Sequence, residues 1–162
     1  MFMDADLLFS DAQAVTATAA STNYIDTGPL GYVGATSSTN PPLNTGRNLG
    51  ISSELYISIS VDVAMTDSGS DSTITVSLET DDNSSFSSIA TVATLVVIPA
   101  LTAAGTKYFV KMPIATTVPY ERYLQIKYTT TNGNLTTGSF TTAIVKNIDN
   151  WTSYQSAVST GV

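Results

Sequence analysis

The clearest pattern in the chain is ELYISISVDVAM, Glu54–Met65. Leu55, Ile57, Ile59, Val61, Val63 and Met65 fall on one side, and Tyr56, Ser58, Ser60, Asp62 and Ala64 on the other. A two-residue period over that length describes a strand with one face buried and one face wet. TDSGSD (Thr66–Asp71) is turn chemistry. STITVSLET then resumes the alternation, with Ile74, Val76 and Leu78 inward and Thr73, Thr75, Ser77 and Glu79 outward. The two segments read as a hairpin. DDNSSFSS (Asp81–Ser88) reads as a polar loop with Phe86 tucked beneath it, and Ile89–Ile98 as a further strand closed by Pro99. TKYFVKMPI sets Tyr108, Val110, Met112 and Ile114 against Lys107, Phe109 and Lys111. ERYLQIKYTTT turns Leu124, Ile126 and Tyr128 inward, NGN (Asn132–Asn134) predicts a turn, and SFTTAIVKNID is the last clear strand.

The stretch LLFSDAQAVTATAASTNYIDTG, Leu7–Gly28, is harder to place. It has no sustained apolar stripe for a helix and is too interrupted to cross a membrane. Met1–Asp11 holds three Asp and no Lys or Arg, so it lacks the basic start of a signal peptide. It reads as an N-terminal arm, residues 1–28, that adds strands to a sheet edge of its own domain or of a neighbouring copy. Leu7, Leu8 and Phe9 are its expected anchors. Residues 29–50 are dense in Gly, Pro, Ser and Asn and read as a long loop. Core strands are expected within 51–149, followed by a tail, 150–162, that carries Trp151 and Tyr154. The expected fold is all-β: a single jelly-roll β-sandwich of about eight antiparallel strands with an extended N-terminal arm.

Composition narrows the function. The 162 residues suit one domain with a real core. Only 12% are charged, about half the usual share. Polarity comes instead from 26 Thr and 20 Ser, which suit strands and turns. A net charge of −7 and a pI near 4.1 argue against a nucleic-acid partner or an anionic membrane. There is no Cys and no His. That removes disulfides, thiolate metal sites and the usual general base and nucleophile pairs. Glu54, Glu79 and Glu121 sit at strand ends or on outward phases and read as solvated or turn-capping charges, not as a catalytic carboxylate pair. Asp67 and Asp71, and Asp81, Asp82 and Asn83, could offer oxygens to calcium but match no twelve-residue loop, and read as turn formers. No catalytic residue, metal or cofactor is expected. Asn-x-Ser/Thr triplets begin at Asn83, Asn134 and Asn150 and read as chance in so Ser- and Thr-rich a chain.

The aromatic residues remain. Tyr56, Phe109 and Tyr123 take the outward phase of their strands. They suit either cross-strand packing against the second sheet or a partner chain, or sugar stacking, as in β-sandwich lectins. With Tyr24, Trp151, Tyr154 and the arm residues Leu7, Leu8 and Phe9, they form the candidate interface.

Three stretches together carry a resemblance: FSDAQAVT (Phe9–Thr16), IDTG (Ile25–Gly28) and ERYLQIKY (Glu121–Tyr128). In this order, with the alternating strands between them, the chain resembles the jelly-roll capsid cement, or head decoration, proteins of tailed bacteriophages. The long loop after Gly28 and the tail after Asp149 depart from that pattern, so no family contact is carried to them. The resemblance implies a protein made in the host cytoplasm and seated on the outside of an HK97-type shell. There it would clamp neighbouring major capsid protein subunits and pair with itself, as a dimer in preference to a trimer. A glycan- or receptor-binding β-sandwich on the virion surface is the competing expectation.

Overall fold

A computed structural model of the protein describes residues 5–27, 54–114, 117–146 and 148. The expected loop 29–50 and the tail with Trp151 and Tyr154 lie outside the described residues. Apart from a 3₁₀ turn at Ala5–Leu7, the regular structure among the described residues is all strand. The strands are β1 (Leu8–Ala14), β2 (Ala19–Ala20), β3 (Ile25–Asp26), β4 (Leu55–Thr66), β5 (Thr73–Asp81), β6 (Ala90–Ile98), β7 (Lys107–Lys111), β8 (Tyr123–Thr131) and β9 (Thr137–Lys146).

One sheet has the order β1-β9-β4-β7 and the other β2-β8-β5-β6, with β3 also on β8. Every pairing is antiparallel. Ala19 and Ala20 face Tyr128 and Lys127, while Ile25 and Asp26 face Leu124 and Tyr123, so β2 and β3 are one interrupted strand along β8. Counted so, eight strands form two four-stranded sheets in the order of a jelly roll. The arm supplies an edge to each sheet: β1 on β9, and β2 with β3 on β8.

The expected hairpin between Glu54–Met65 and STITVSLET does not form. β4 is paired on both sides, to β9 and to β7, and β5 lies in the opposite sheet between β8 and β6. The turn at 66–72 therefore carries the chain across the sandwich. Asp67 shapes it by accepting the N–H groups of Asp71 and Ser72 at 3.2 and 2.9 Å. Alternation reports which face a residue takes; it does not report which strand lies alongside.

The inward rows meet between the sheets. Ile57, Ile59 and Val61 from β4, Ile74, Val76 and Leu78 from β5, Leu124, Ile126 and Tyr128 from β8, and Phe140 from β9 are all fully buried. Each such aliphatic side chain contributes roughly 1.5–3 kcal/mol of transfer free energy. Two expected inward positions are not inward. Val63 is 49% exposed because the β4–β9 register slips on both sides of it, between Val61 and Val63 and between Val63 and Thr66; the alternation is broken at Val63 and regained at Met65, which is buried as expected. Ile114 is 57% exposed because β7 ends at Lys111.

A polar seam joins the arm to both sheets. Tyr128 Oη lies 2.9 Å from Ser10 Oγ and 2.8 Å from Thr142 Oγ1, and all three residues are fully buried. Ser10 donates its one proton to Gln13 Oε1 at 2.8 Å. Tyr128 must then donate to Ser10, and Thr142 to Tyr128, because each hydroxyl holds a single proton. Gln13 passes the chain on, donating from Nε2 to the Ala20 carbonyl at 2.8 Å and accepting the Thr22 N–H at 2.9 Å. Tyr128 also stacks on Phe140, with ring centroids 5.5 Å apart. β1 bends to make this fit: its register slips twice, and Ala12 takes a left-handed φ of 44° while its N–H donates to Thr141 Oγ1.

Candidate docking surface

One corner of the second sheet gathers aromatic and charged side chains at the surface. Its frame is a register row: Asp26 of β3 faces Tyr123 of β8, and Tyr123 faces Asp81 of β5. Residues in register share a face, so all three lie on the outer side of the sheet, where Asp81 is covered by its own loop. Tyr24 precedes β3 and leans on the row. Its ring meets Tyr123 at 5.5 Å and 84°, and Phe86 of the β5–β6 loop at 5.9 Å and 61°, both edge contacts. Arg122 donates from Nε and Nη2 to the two carboxylate oxygens of Asp26, each at 2.8 Å. Its guanidinium carbon also lies 5.0 Å from the centre of the Tyr123 ring.

The backbone under Tyr24 is fixed. The Asn23 N–H donates to the Phe9 carbonyl at 2.9 Å, and Ser21 Oγ donates to the Asn23 carbonyl at 2.7 Å. Ile25, next in the chain, is buried in the core. Tyr24 itself stays 48% exposed. It is a large side chain held at the surface by its own neighbours.

Carboxylates surround the cluster. Asp81 is fully buried and ties its loop together, accepting the Asn83 N–H at 2.8 Å, the Ser88 N–H at 2.6 Å and the Ser88 hydroxyl at 3.2 Å. Burial works against its charge, yet the N–H groups of Asn83 and Ser88 and the Ser88 hydroxyl outweigh it, so the carboxyl sits below its usual range. Glu121 shows the opposite balance. Burial and the negative charges of Asp82 and Asp81 push its carboxyl above the usual range, and its buried Oε2 has no hydrogen-bond partner. Glu79, expected to be solvated, is instead 8% exposed and accepts a 2.8 Å hydrogen bond from Gln125, which faces it in register.

The seven candidate interface residues that fall among the described residues divide between this corner, the other sheet and the arm. Tyr24 and Tyr123 come together at this corner. Tyr56 and Phe109 are half-buried on the other sheet, on β4 and β7, where Phe109 faces Ser58 and Tyr56 faces Lys111. Leu7 and Leu8 are half-buried at the start of the arm, and Leu7 packs against the core. Phe9 is corrected outright: it is fully buried between the sheets, so it anchors the arm to its own domain and offers no surface to a partner. Phe86 is half-buried while its loop neighbours Asp82–Ser85 and Ser87–Ile89 are exposed, and its ring packs against Tyr24. Sequence reading missed Arg122, Asp26 and Phe86 as members of the cluster, because the register of β3, β8 and β5 is what joins them.

A family model named Bbp16 matches residues 9–144. The chain belongs to the Bbp16 family. This is a bacteriophage-type family, and the matched span runs from the second residue of β1 to within two residues of the end of β9. Every strand of the Bbp16 jelly roll is thus part of the match. No curated protein matches the chain.

Proposed function

We propose that this Bbp16-family protein is a structural virion protein that binds the outer surface of a phage capsid. It clamps neighbouring major capsid subunits and stabilises the expanded head. The observation that carries the reading is a rigid jelly roll of a phage-type family with a pre-formed aromatic–arginine corner at its surface. Tyr and Arg held in place by their own neighbours are the side chains most enriched at protein–protein contacts, and little entropy is lost when such residues dock. The acidic, Ser- and Thr-rich composition suits a protein that stays dispersed until it docks. Clamping needs no catalytic group. It needs buried area at each subunit seam, repeated over many symmetric copies.

Co-sedimentation with expanded, undecorated shells of the major capsid protein encoded beside it tests this. Saturable binding that raises the melting temperature of the shell is the expected result and gives the copy number. Folded protein left in the supernatant at excess would overturn the proposal and redirect attention to glycans on the cell surface.

A further inference from the structure

The corner built by Tyr24, Tyr123 and Phe86 has a chemistry more specific than a general contact patch. Among the described residues, Asp26 and Asp81 share the register row of Tyr123 and Asp82 and Glu121 adjoin them in sequence, four carboxylates against the guanidinium of Arg122; Asp26 and Asp82 are the exposed ones. That guanidinium is already neutralised by two hydrogen bonds to Asp26. The corner therefore has a negative surplus beside an exposed aromatic ring whose position is set by two edge contacts and a pinned backbone. A ring face carries negative potential, and nearby carboxylates add to it, so the complementary group is a cation on a flexible stem.

We propose that this corner receives a lysine- or arginine-bearing loop of a protein partner, with the cation over Tyr24 and its hydrogen bonds directed to the exposed carboxylates of Asp26 and Asp82. Resting on the capsid-binding reading above, the partner is a basic segment of the shell subunit. Charge complementarity favours this occupant over a neutral saccharide, which would gain nothing from the negative surplus. It also favours it over a second copy of this chain, which carries a net charge of −7.

Two measurements decide it. In the first, wild type, Tyr24→Ala and Asp82→Lys are titrated onto expanded shells at several salt concentrations. Circular dichroism should match wild type, and binding is compared at a temperature well below the melting point of all three proteins, so that lost side-chain contacts at the two positions do not enter the comparison. Each substitution is expected to weaken binding at least tenfold, and Asp82→Lys should also flatten the salt dependence. In the second, ring resonances of Tyr24, Tyr123 and Phe86 are followed while an acetylated Gly-Arg-Gly-Lys-Gly amide, and separately a neutral trisaccharide, is added to the full chain. The peptide is expected to move all three rings.

Shells that bind wild type and both variants equally would overturn the corner and leave the capsid reading standing. Wild type that ignores shells while the peptide moves the three rings would overturn the capsid reading and support the corner. Rings that move with the trisaccharide and not with the peptide would make this a sugar site and end the proposal. No response in either measurement would end both.

Discussion

Tyr123 and Tyr128 lie on the same strand, five residues apart, and are used in opposite ways. Tyr128 points between the sheets, is fully buried, and has its hydroxyl held from both sides by Ser10 and Thr142. Tyr123 points outward, stays half-buried, and offers its ring to Tyr24 and to Arg122. An odd spacing on a strand puts two side chains on opposite faces. The result is a division of labour: the inward tyrosine fastens the arm to both sheets, and the outward one builds a surface. Residue type alone does not say whether a tyrosine serves the fold or a contact. Phase along the strand does.

The sharpest way to break the comparison is to truncate both rings. Tyr128→Ala should destabilise the domain by about 3–5 kcal/mol, through the cavity and the lost hydrogen bonds together. Tyr128→Phe keeps the ring and isolates the hydroxyl. Thr142 is then left with no acceptor and Ser10 with no donor, which should cost about 1–3 kcal/mol in urea unfolding. Tyr123→Ala should cost less than Tyr128→Ala, because its ring is partly exposed and lies outside the core. Equal losses at the two positions would dissolve the distinction.

Asp81→Ala probes the rim of the outward site. Losing its three hydrogen bonds to Asn83 and Ser88 should cost about 1–2 kcal/mol. The pH dependence has a definite sign. Asp67 and Asp81 both sit below the ordinary value of 3.8 in the folded protein. Their contribution is therefore complete above about pH 4 and is lost as the pH falls through their folded-state values. Glu121, raised by burial and by Asp82 and Asp81, acts in the other direction: its contribution is largest in acid and fades as the pH rises through its folded-state value. Asp81→Ala should flatten the acid limb of a melting-temperature profile, and an unchanged limb would count against the loop-tying role.

The smallest effect expected is at Ala12. Glycine adopts its left-handed φ without strain, so Ala12→Gly should change stability by less than about 1 kcal/mol, and the released strain should make the change neutral or favourable. A loss of several kcal/mol would mean that the methyl group packs against something the bulge itself does not explain.

How legible was this in the chain? Ile57, Val76, Leu124 and Ile126 on the inward rows declared themselves through the period of two, because burial of one face imposes that period. The pairing of β4 with β9 and β7, and not with β5, did not, because sheet partners leave no mark on alternation. Val63 departs from the pattern for a related reason: two register slips flank it and break the alternation there alone, without any Gly or Pro to announce them, and Met65 resumes it. At the corner, the outward phase of Tyr123 was readable. Its union with Asp26, Arg122 and Phe86 depends on the registers of separate strands and on a loop conformation, with Phe86 at a left-handed φ of 50°.

Among the described residues, the four sheet edges carry a consequence for life in a crowd. β7 is five residues long and has a lysine at each end. β1 is bulged at Ala12, and the β2–β3 edge is interrupted. β6 has no charged residue at all, but its pairing with β5 skips Val92 and Leu95, which turn to pack against the core. Each edge is thus blunted by a different device, so its spare backbone groups make a poor template for a neighbouring chain. Packed side by side at high local concentration, such molecules would meet through their side chains, and their sheets would not run on from one to the next.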